Sequence, residues 1–166
     1  VDLARPATDA DLPAVAALAR DAIAELAPQR GGELWQAVMA RTEPIEAGLA
    51  ADLALAPDRG QLVVATIDDV VVGYGFVRLD RLGDGRTLAT ISDLFVDLGA
   101  RGIGLGEAMM DLLVATARAA GAIGVDSIAL PGARETKNFF ETFGLKARAL
   151  IVHRSLIEVD EAHGEA

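Results

Sequence analysis

A chain of 166 residues, 52% of them hydrophobic, is the size of one ordinary domain with one substantial core, and its 15 Lys and Arg against 25 Asp and Glu give a charge of −10 that would repel a phosphate backbone, so no nucleic acid is expected as a partner. The absence of cysteine excludes a disulfide framework, a thiolate metal site and a cysteine nucleophile, and two histidines do not make a zinc site, so no metal is expected. No apolar run reaches the roughly 18 to 20 residues of a membrane span and the N-terminus lacks a basic-then-apolar signal pattern, so the expectation is a soluble, cytoplasmic protein with no membrane partner.

The first predicted element is a short strand at 3–5. Thr8 with Asp11 three residues later resembles a capping box, and Leu12, Val15, Leu18 and Ala22 follow at helical spacing, which predicts a first helix to about Leu26. Pro28 and Gly31-Gly32 break it, and a second helical stretch over 33–56 is interrupted at Pro44 and Gly48. Leu62, Val63, Val64, Ala65 and Ile67 form a β-rich run, Asp68-Asp69 a turn, and 70–79 a second strand, so a hairpin is predicted. Gly83-Asp84-Gly85 turns the chain into a third strand over 87–96, completing an antiparallel meander. Helical spacing returns at Leu105, Met109, Leu112, Leu113 and Thr116, with Gly121 placed to end the helix. A strand over 125–130, a short helix over 135–143 stopped by Gly144 and a last strand over 147–156 complete the order β-α-α-β-β-β-α-β-α-β. That order is α+β, with a mixed, largely antiparallel sheet flanked by helices. Residues 1–157 read as a single domain and 158–166 as a polar, frayed tail.

The most informative stretch is Asp97-Leu98-Gly99-Ala100-Arg101-Gly102-Ile103-Gly104-Leu105-Gly106, a glycine-rich turn between a strand and an amphipathic helix. Glycines allow positive φ and close approach of a ligand to the backbone, while unpaired N–H groups and the positive end of the helix dipole attract a phosphate. The dinucleotide pattern G-x-G-x-x-G would need glycine at Glu107 or Met109, and the Walker loop would need Lys after its last glycine; neither is present. A tight strand-to-helix connection alone would not require three glycines at alternate positions directly after an arginine.

This stretch resembles the coenzyme A signature of the GNAT superfamily, the general N-acetyltransferases, Q/R-x-x-G-x-G/A: Arg101, Gly104 and Gly106 fill it, and Gly102 completes the R-G-x-G-x-G form. Leu94-Phe95-Val96 is similar to the hydrophobic strand end that precedes the signature, residues 139–145 to the later F-Y-x-x-x-G-F segment, and residues 5–12 to the common start of these proteins. The resemblance implies a single acyl-coenzyme A-dependent N-acetyltransferase domain that uses acetyl-coenzyme A as co-substrate and acetylates a primary amine on a small molecule or peptide. It implies that Arg101, Gly102, Ile103, Gly104, Leu105 and Gly106 hold the pyrophosphate, that Leu94, Phe95 and Val96 align the pantetheine arm, and that Phe140 joins the cofactor site. It further implies that the strand splays from its neighbour, that the amine attacks the thioester directly, and that the N–H of Leu94 or Phe95 meets the oxyanion. Related domains pair through sheet edges or helices, so a homodimer is an expectation of the same kind.

An alkyl amine with a pKa of about 10 is mostly protonated at neutral pH and must lose a proton before attack. Asp93, inside the otherwise apolar 91–96 run, is the candidate base, with Thr90 and Ser92 as candidate holders of a water; the alternative is an Asp that faces solvent from an alternating strand. Departures from the family pattern are Phe140 where many relatives carry a Tyr that protonates the departing thiolate, Ala133 where Asn is frequent, and Leu98 for a frequent Pro. Candidate acceptor contacts are Glu33, Trp35 and Tyr74, each with an ordinary structural reading beside it. His153 reads as a hydrogen-bonded residue of the last strand. The alternative function is a catalytically weak acyl-coenzyme A sensor or interaction module, which Phe140 and Ala133 would suit.

Overall fold

The meander forms where the sequence turns β-branched and aromatic. In the computed structural model, which describes residues 3–157, β1 (Ala4–Pro6), β2 (Gly60–Ile67), β3 (Val70–Arg81) and β4 (Thr87–Val96) pair antiparallel in that order, and β5 (Val125–Ser127) adds parallel to β4. Asp68 and Asp69 both adopt left-handed backbone, φ 49° and 65°, which suits a tight two-residue hairpin turn whose twist matches its strands.

Strand alternation sends successive side chains to opposite faces, and helices cover both. Leu62, Val64, Tyr74 and Phe76 pack under α1 (Leu12–Leu26) and α3 (Ile45–Leu53). Val63, Ala65, Val77 and Ile91 pack under α4 (Leu105–Ala119), through Leu105, Met109, Met110 and Leu113. Two further helices, α2 (Gly32–Val38) and α5 (Arg134–Thr142), flank the sheet end where the glycine turn lies. The α+β class is the one predicted. No helix among the described residues is long and apolar enough to cross a membrane.

The entry to α1 is fixed by Asp11. Its buried carboxylate accepts from the Thr8 N–H at 2.8 Å and from Arg5 Nη1 at 2.7 Å, so the cap is also an ion pair to β1. Arg5 foremost, and then Thr8, outweighs the effect of burial and lowers the Asp11 pKa to about 2. Because the folded pKa is depressed, this contribution is present above the ordinary carboxylate range and is lost as the pH falls through about 2. Asp11→Ala is expected to cost about 1 to 3 kcal/mol in urea unfolding at pH 7, and the gap between variant and parent should close in acid.

Three predicted elements differ. The 33–56 stretch is two helices, α2 and α3, separated at 39–44; the predicted interruption at Pro44 is present, with Pro44 as the N-cap of α3, but Gly48 lies inside α3 and does not interrupt it. The strand predicted over 125–130 pairs only through Ser127. The last strand, predicted over 147–156, is absent from the sheet: no backbone hydrogen bond joins 147–156 to the rest of the described residues. Its apolar, β-branched composition satisfies the local rule, but a strand exists only when paired, and nothing among the described residues pairs with it. His153 accordingly stands in solvent and not in a ladder. The tail read at 158–166 lies outside the described residues.

Candidate active site

The site begins at an irregularity in β4. Phe76 faces Asp93 and Val77 faces Ile91, so Ser92 is left unopposed in a bulge. Before the bulge, odd-numbered residues face β5: the Ala89 N–H donates to the Gly124 carbonyl at 3.1 Å, and the Ile91 carbonyl accepts from Ser127 Oγ at 2.9 Å. After it the parity reverses, because the Asp97 N–H donates back to the Val72 carbonyl at 2.7 Å. By alternation the Phe95 N–H points into the β3 ladder, while those of Leu94 and Val96 face away from it. Of the two candidate oxyanion donors, Leu94 is therefore placed for the role and Phe95 is not.

On that side β5 gives no cover, since its ladder with β4 ends at Ile91 and Ser127. The two strands diverge there around a cavity of about 540 Å³. Leu94 and Val96 line one wall and Ile128 and Leu130 the other, and the cavity runs down to Gly102 and Gly104.

The turn below is built by its own backbone. The Asp97 carboxylate accepts from the Gly99 N–H at 3.1 Å, and Gly102 and Gly104 take φ of 87° and 90°, which only glycine adopts without strain. A Cβ at Gly102 would meet nothing within 4 Å, and one at Gly106 would touch the Phe139 ring at 3.5 Å. The N–H groups of residues 102–107 have no backbone acceptor among the described residues, and they stand at the positive end of the 15-residue α4. This is a cradle for an anion, and it fits a pyrophosphate. Ile103 and Leu105 can contribute only main chain, since the Ile103 side chain projects into solvent and that of Leu105 is in the core.

Arg101 is otherwise engaged. Its guanidinium donates to both Glu25 oxygens at 2.9 and 2.7 Å and through Nε to the Val96 carbonyl at 2.9 Å, and it lies 5.3 Å from the Phe95 ring centroid. It ties the end of α1 to the turn, and the same pair holds Glu25 below its usual carboxylate range.

Asp93 neither faces solvent nor stands free. Arg41 Nε donates to its Oδ2 at 2.7 Å, the Tyr74 hydroxyl to the same oxygen at 2.9 Å, and Ser92 Oγ to Oδ1 at 2.6 Å. Arg41 also donates to Asp52 at 2.7 Å and lies 5.5 Å from the Phe76 ring centroid. Burial opposes the Arg41 charge, but the two carboxylates outweigh it and raise its pKa. Burial first, and then Asp93, raises the Tyr74 pKa well above its ordinary value, so its hydroxyl remains a donor.

Of the candidate acceptor contacts, Trp35 and Tyr74 line the cavity; Glu33 is exposed on α2 and does not, because the turn of α2 that brings Trp35 inward carries Glu33 outward. Phe140 and Ala133 both border the cavity, so the two departures from the family pattern fall on its wall. Arg41, Asp52, Glu25 and Ser127 were not anticipated. The apolar setting of Asp93 is the one signal in the sequence from which a nearby cation could have been sought.

The chain matches a family model, the acetyltransferase (GNAT) domain, over residues 58–146, while comparison with curated proteins finds no match. Among solved structures it is similar to a tetramutant of the BH1408 protein from Bacillus halodurans, at 18% identity and a TM-score of 0.75 over 92% of this chain and 99% of that one. An acetyltransferase from Trypanosoma brucei is 21% identical, with a TM-score of 0.65 over 92% and 98%. Glucosamine-6-phosphate N-acetyltransferase from Arabidopsis thaliana is 16% identical, with a TM-score of 0.65 over 93% and 97%. At these identities the structural likenesses speak for the fold, and the family match speaks for the chemistry. With its glycine cradle and divergent strands, the chain belongs to the GNAT family and is a GNAT-type acyltransferase.

Proposed function

We propose that the protein transfers the acetyl group of acetyl-coenzyme A to a primary amine, by direct attack and without a covalent enzyme intermediate. One observation carries this reading: the free N–H groups at the start of α4 and the outward N–H of Leu94 open onto the same cavity. Acetyl-coenzyme A supplies the activated carbonyl. Backbone N–H groups of 102–107 take its pyrophosphate charge, with Arg101 available to them only by releasing Glu25. Leu94 and Val96 offer unpaired main chain to the amide groups of the pantetheine arm, and the Leu94 N–H meets negative charge developing on the carbonyl oxygen.

The acceptor enters past Trp35 and Tyr74. Asp93 holds the negative charge that faces an incoming ammonium, but Arg41, Tyr74 and Ser92 already occupy its oxygens, so it acts through Ser92 and not by direct contact. Ser92 donates to Asp93, which leaves its lone pairs to accept from the amine or a water and start the proton outward. Phe140 has no proton to give, so the thiolate leaves unassisted or takes one from water. The cysteine-free composition suits a cytoplasmic enzyme.

Calorimetric titration with acetyl-coenzyme A, followed on the same sample by free-thiol release across a panel of amines, tests the proposal. Saturable binding with amine-dependent thiol release is expected. Binding without release for any amine would favour the sensor reading, which the Phe140 wall supports, and no binding would defeat both.

A further inference from the structure

The basic side chains that line the cavity are already engaged. Among the described residues these are Arg41 and Arg101. Arg41 gives Nε to Asp93 and Nη1 to Asp52, each at 2.7 Å, and Arg101 gives both terminal nitrogens to Glu25. Arg101 stands at the glycine turn, so the acceptor end of the cavity has Arg41 alone. One guanidinium between two carboxylates leaves that end with one negative charge in excess. It offers a place for one ammonium and none for a carboxylate or a phosphate.

Around this charge the acceptor end is apolar. Ile23 of α1 packs in the same cluster as Tyr74 and lines the cavity with it. Trp35 and Met39 lie one helical turn apart, the Met39 N–H donating to the Trp35 carbonyl at 2.8 Å, and both line the cavity directly before Arg41. Met39 is 49% exposed, and neither it nor Trp35 belongs to either core, so apolar surface stands open to a ligand here. The nearby hydroxyls of Ser92 and Ser127 already donate, to Asp93 at 2.6 Å and to the Ile91 carbonyl at 2.9 Å. Each is left as an acceptor, which suits an N–H donor and not a second oxyanion.

We propose that the acceptor is a primary amine on an apolar body that bears no anionic group, its ammonium at Ser92 in the field of Asp93 and its body against Ile23, Trp35 and Met39. This inference rests on acetyl transfer as proposed above and names the class of amine. The amine nitrogen bonds to the acetyl carbon as the carbon–sulfur bond breaks; the displaced proton leaves past Ser92 to solvent, and the thiolate departs with the electron pair. An amino acid or a phosphorylated amino sugar would set an unpaired anion beside Asp93 with no free cation to meet it, and is rejected on that ground. Trp35 and Met39 are then specificity-determining residues.

Initial rates of free-thiol release from acetyl-coenzyme A with hexylamine, ethylamine, 6-aminohexanoate and glucosamine 6-phosphate test it. Hexylamine should exceed ethylamine in kcat/KM about thirtyfold or more, through its longer apolar chain, and should exceed 6-aminohexanoate, which ends in a carboxylate where hexylamine has a methyl group, by a similar factor. Met39→Ser should raise the hexylamine KM about fivefold with kcat kept. Met39→Lys supplies the missing cation and should narrow the ratio of hexylamine to 6-aminohexanoate about tenfold or more, while calorimetry finds acetyl-coenzyme A binding as in the parent. Equal kcat/KM for hexylamine and 6-aminohexanoate, or for hexylamine and ethylamine, would overturn the inference and leave acetyl transfer standing. So would release confined to amines that bear an anion, or a Met39→Lys ratio equal to that of the parent. No release with any amine, in a sample that binds acetyl-coenzyme A, would remove acetyl transfer and the inference with it.

Discussion

Gly104→Glu is expected to weaken acetyl-coenzyme A binding about a hundredfold or more, the loss of roughly 2.7 kcal/mol. Two effects combine. A Cβ there would stand 3.5 Å from Glu107 Oε2, so the new carboxylate joins an existing one at the mouth of the cradle, where the unpaired N–H groups must meet phosphate. The backbone at Gly104 has φ of 90°, where an L side chain costs about 1 to 2 kcal/mol, so some of the loss will appear as reduced thermal stability. Gly104→Asn separates the two, because Asn tolerates the left-handed region and adds no charge. It should bind within about tenfold of the parent by calorimetry. Equal binding by the parent and the Glu variant would remove the pyrophosphate from this turn.

Arg41→Met is expected to destabilise the fold by about 3 kcal/mol, because it removes the cation that both Asp93 and Asp52 bind and leaves the largely buried Asp93 carboxylate without its counter-ion. Arg41 is the bond between α3, through Asp52, and the bulge of β4, through Asp93, and its stem covers Phe76. At roughly 2 to 4 °C per kcal/mol for a chain of this size, the melting temperature should fall by about ten degrees. Adding Asp93→Asn to Arg41→Met should recover part of that loss, since the amide needs no counter-ion; the single change Asp93→Asn leaves Arg41 with Asp52 and should be the milder one. Losses that simply add, measured by denaturant unfolding, would show that the pair is not coupled.

These two positions mark what was legible in the sequence and what was not. The turn at 101–106 could be read because its requirements are local: positive φ, close approach of a ligand and the start of a helix all fall within six residues, and glycine is the residue that meets them. The hairpin turn at Asp68-Asp69, the β4 span and the two ends of α1 were legible on the same ground. The role of Asp93 was not. Its partners are Arg41, 52 residues away, and Tyr74, 19 residues away, and no periodicity links positions so far apart. The sequence offered only a choice between a carboxylate that faces a cleft and one that faces solvent.

The choice between Leu94 and Phe95 as oxyanion donor likewise waited on pairing. One unopposed residue, Ser92, reverses which N–H groups face β5, and a bulge is a property of two strands in register and not of either alone. The segment 147–157 shows the same limit from the other side. Its composition is that of a strand and its sequence predicted one, yet among the described residues it has no strand partner. Sequence by itself determined the class of fold, the meander followed by α4, the glycine-rich turn between them and the two departures at Ala133 and Phe140, since all of these are written in residues close together. Only the tertiary structure decided which charges meet, which backbone groups are left open and which strand has no partner, because those depend on what the rest of the chain brings alongside.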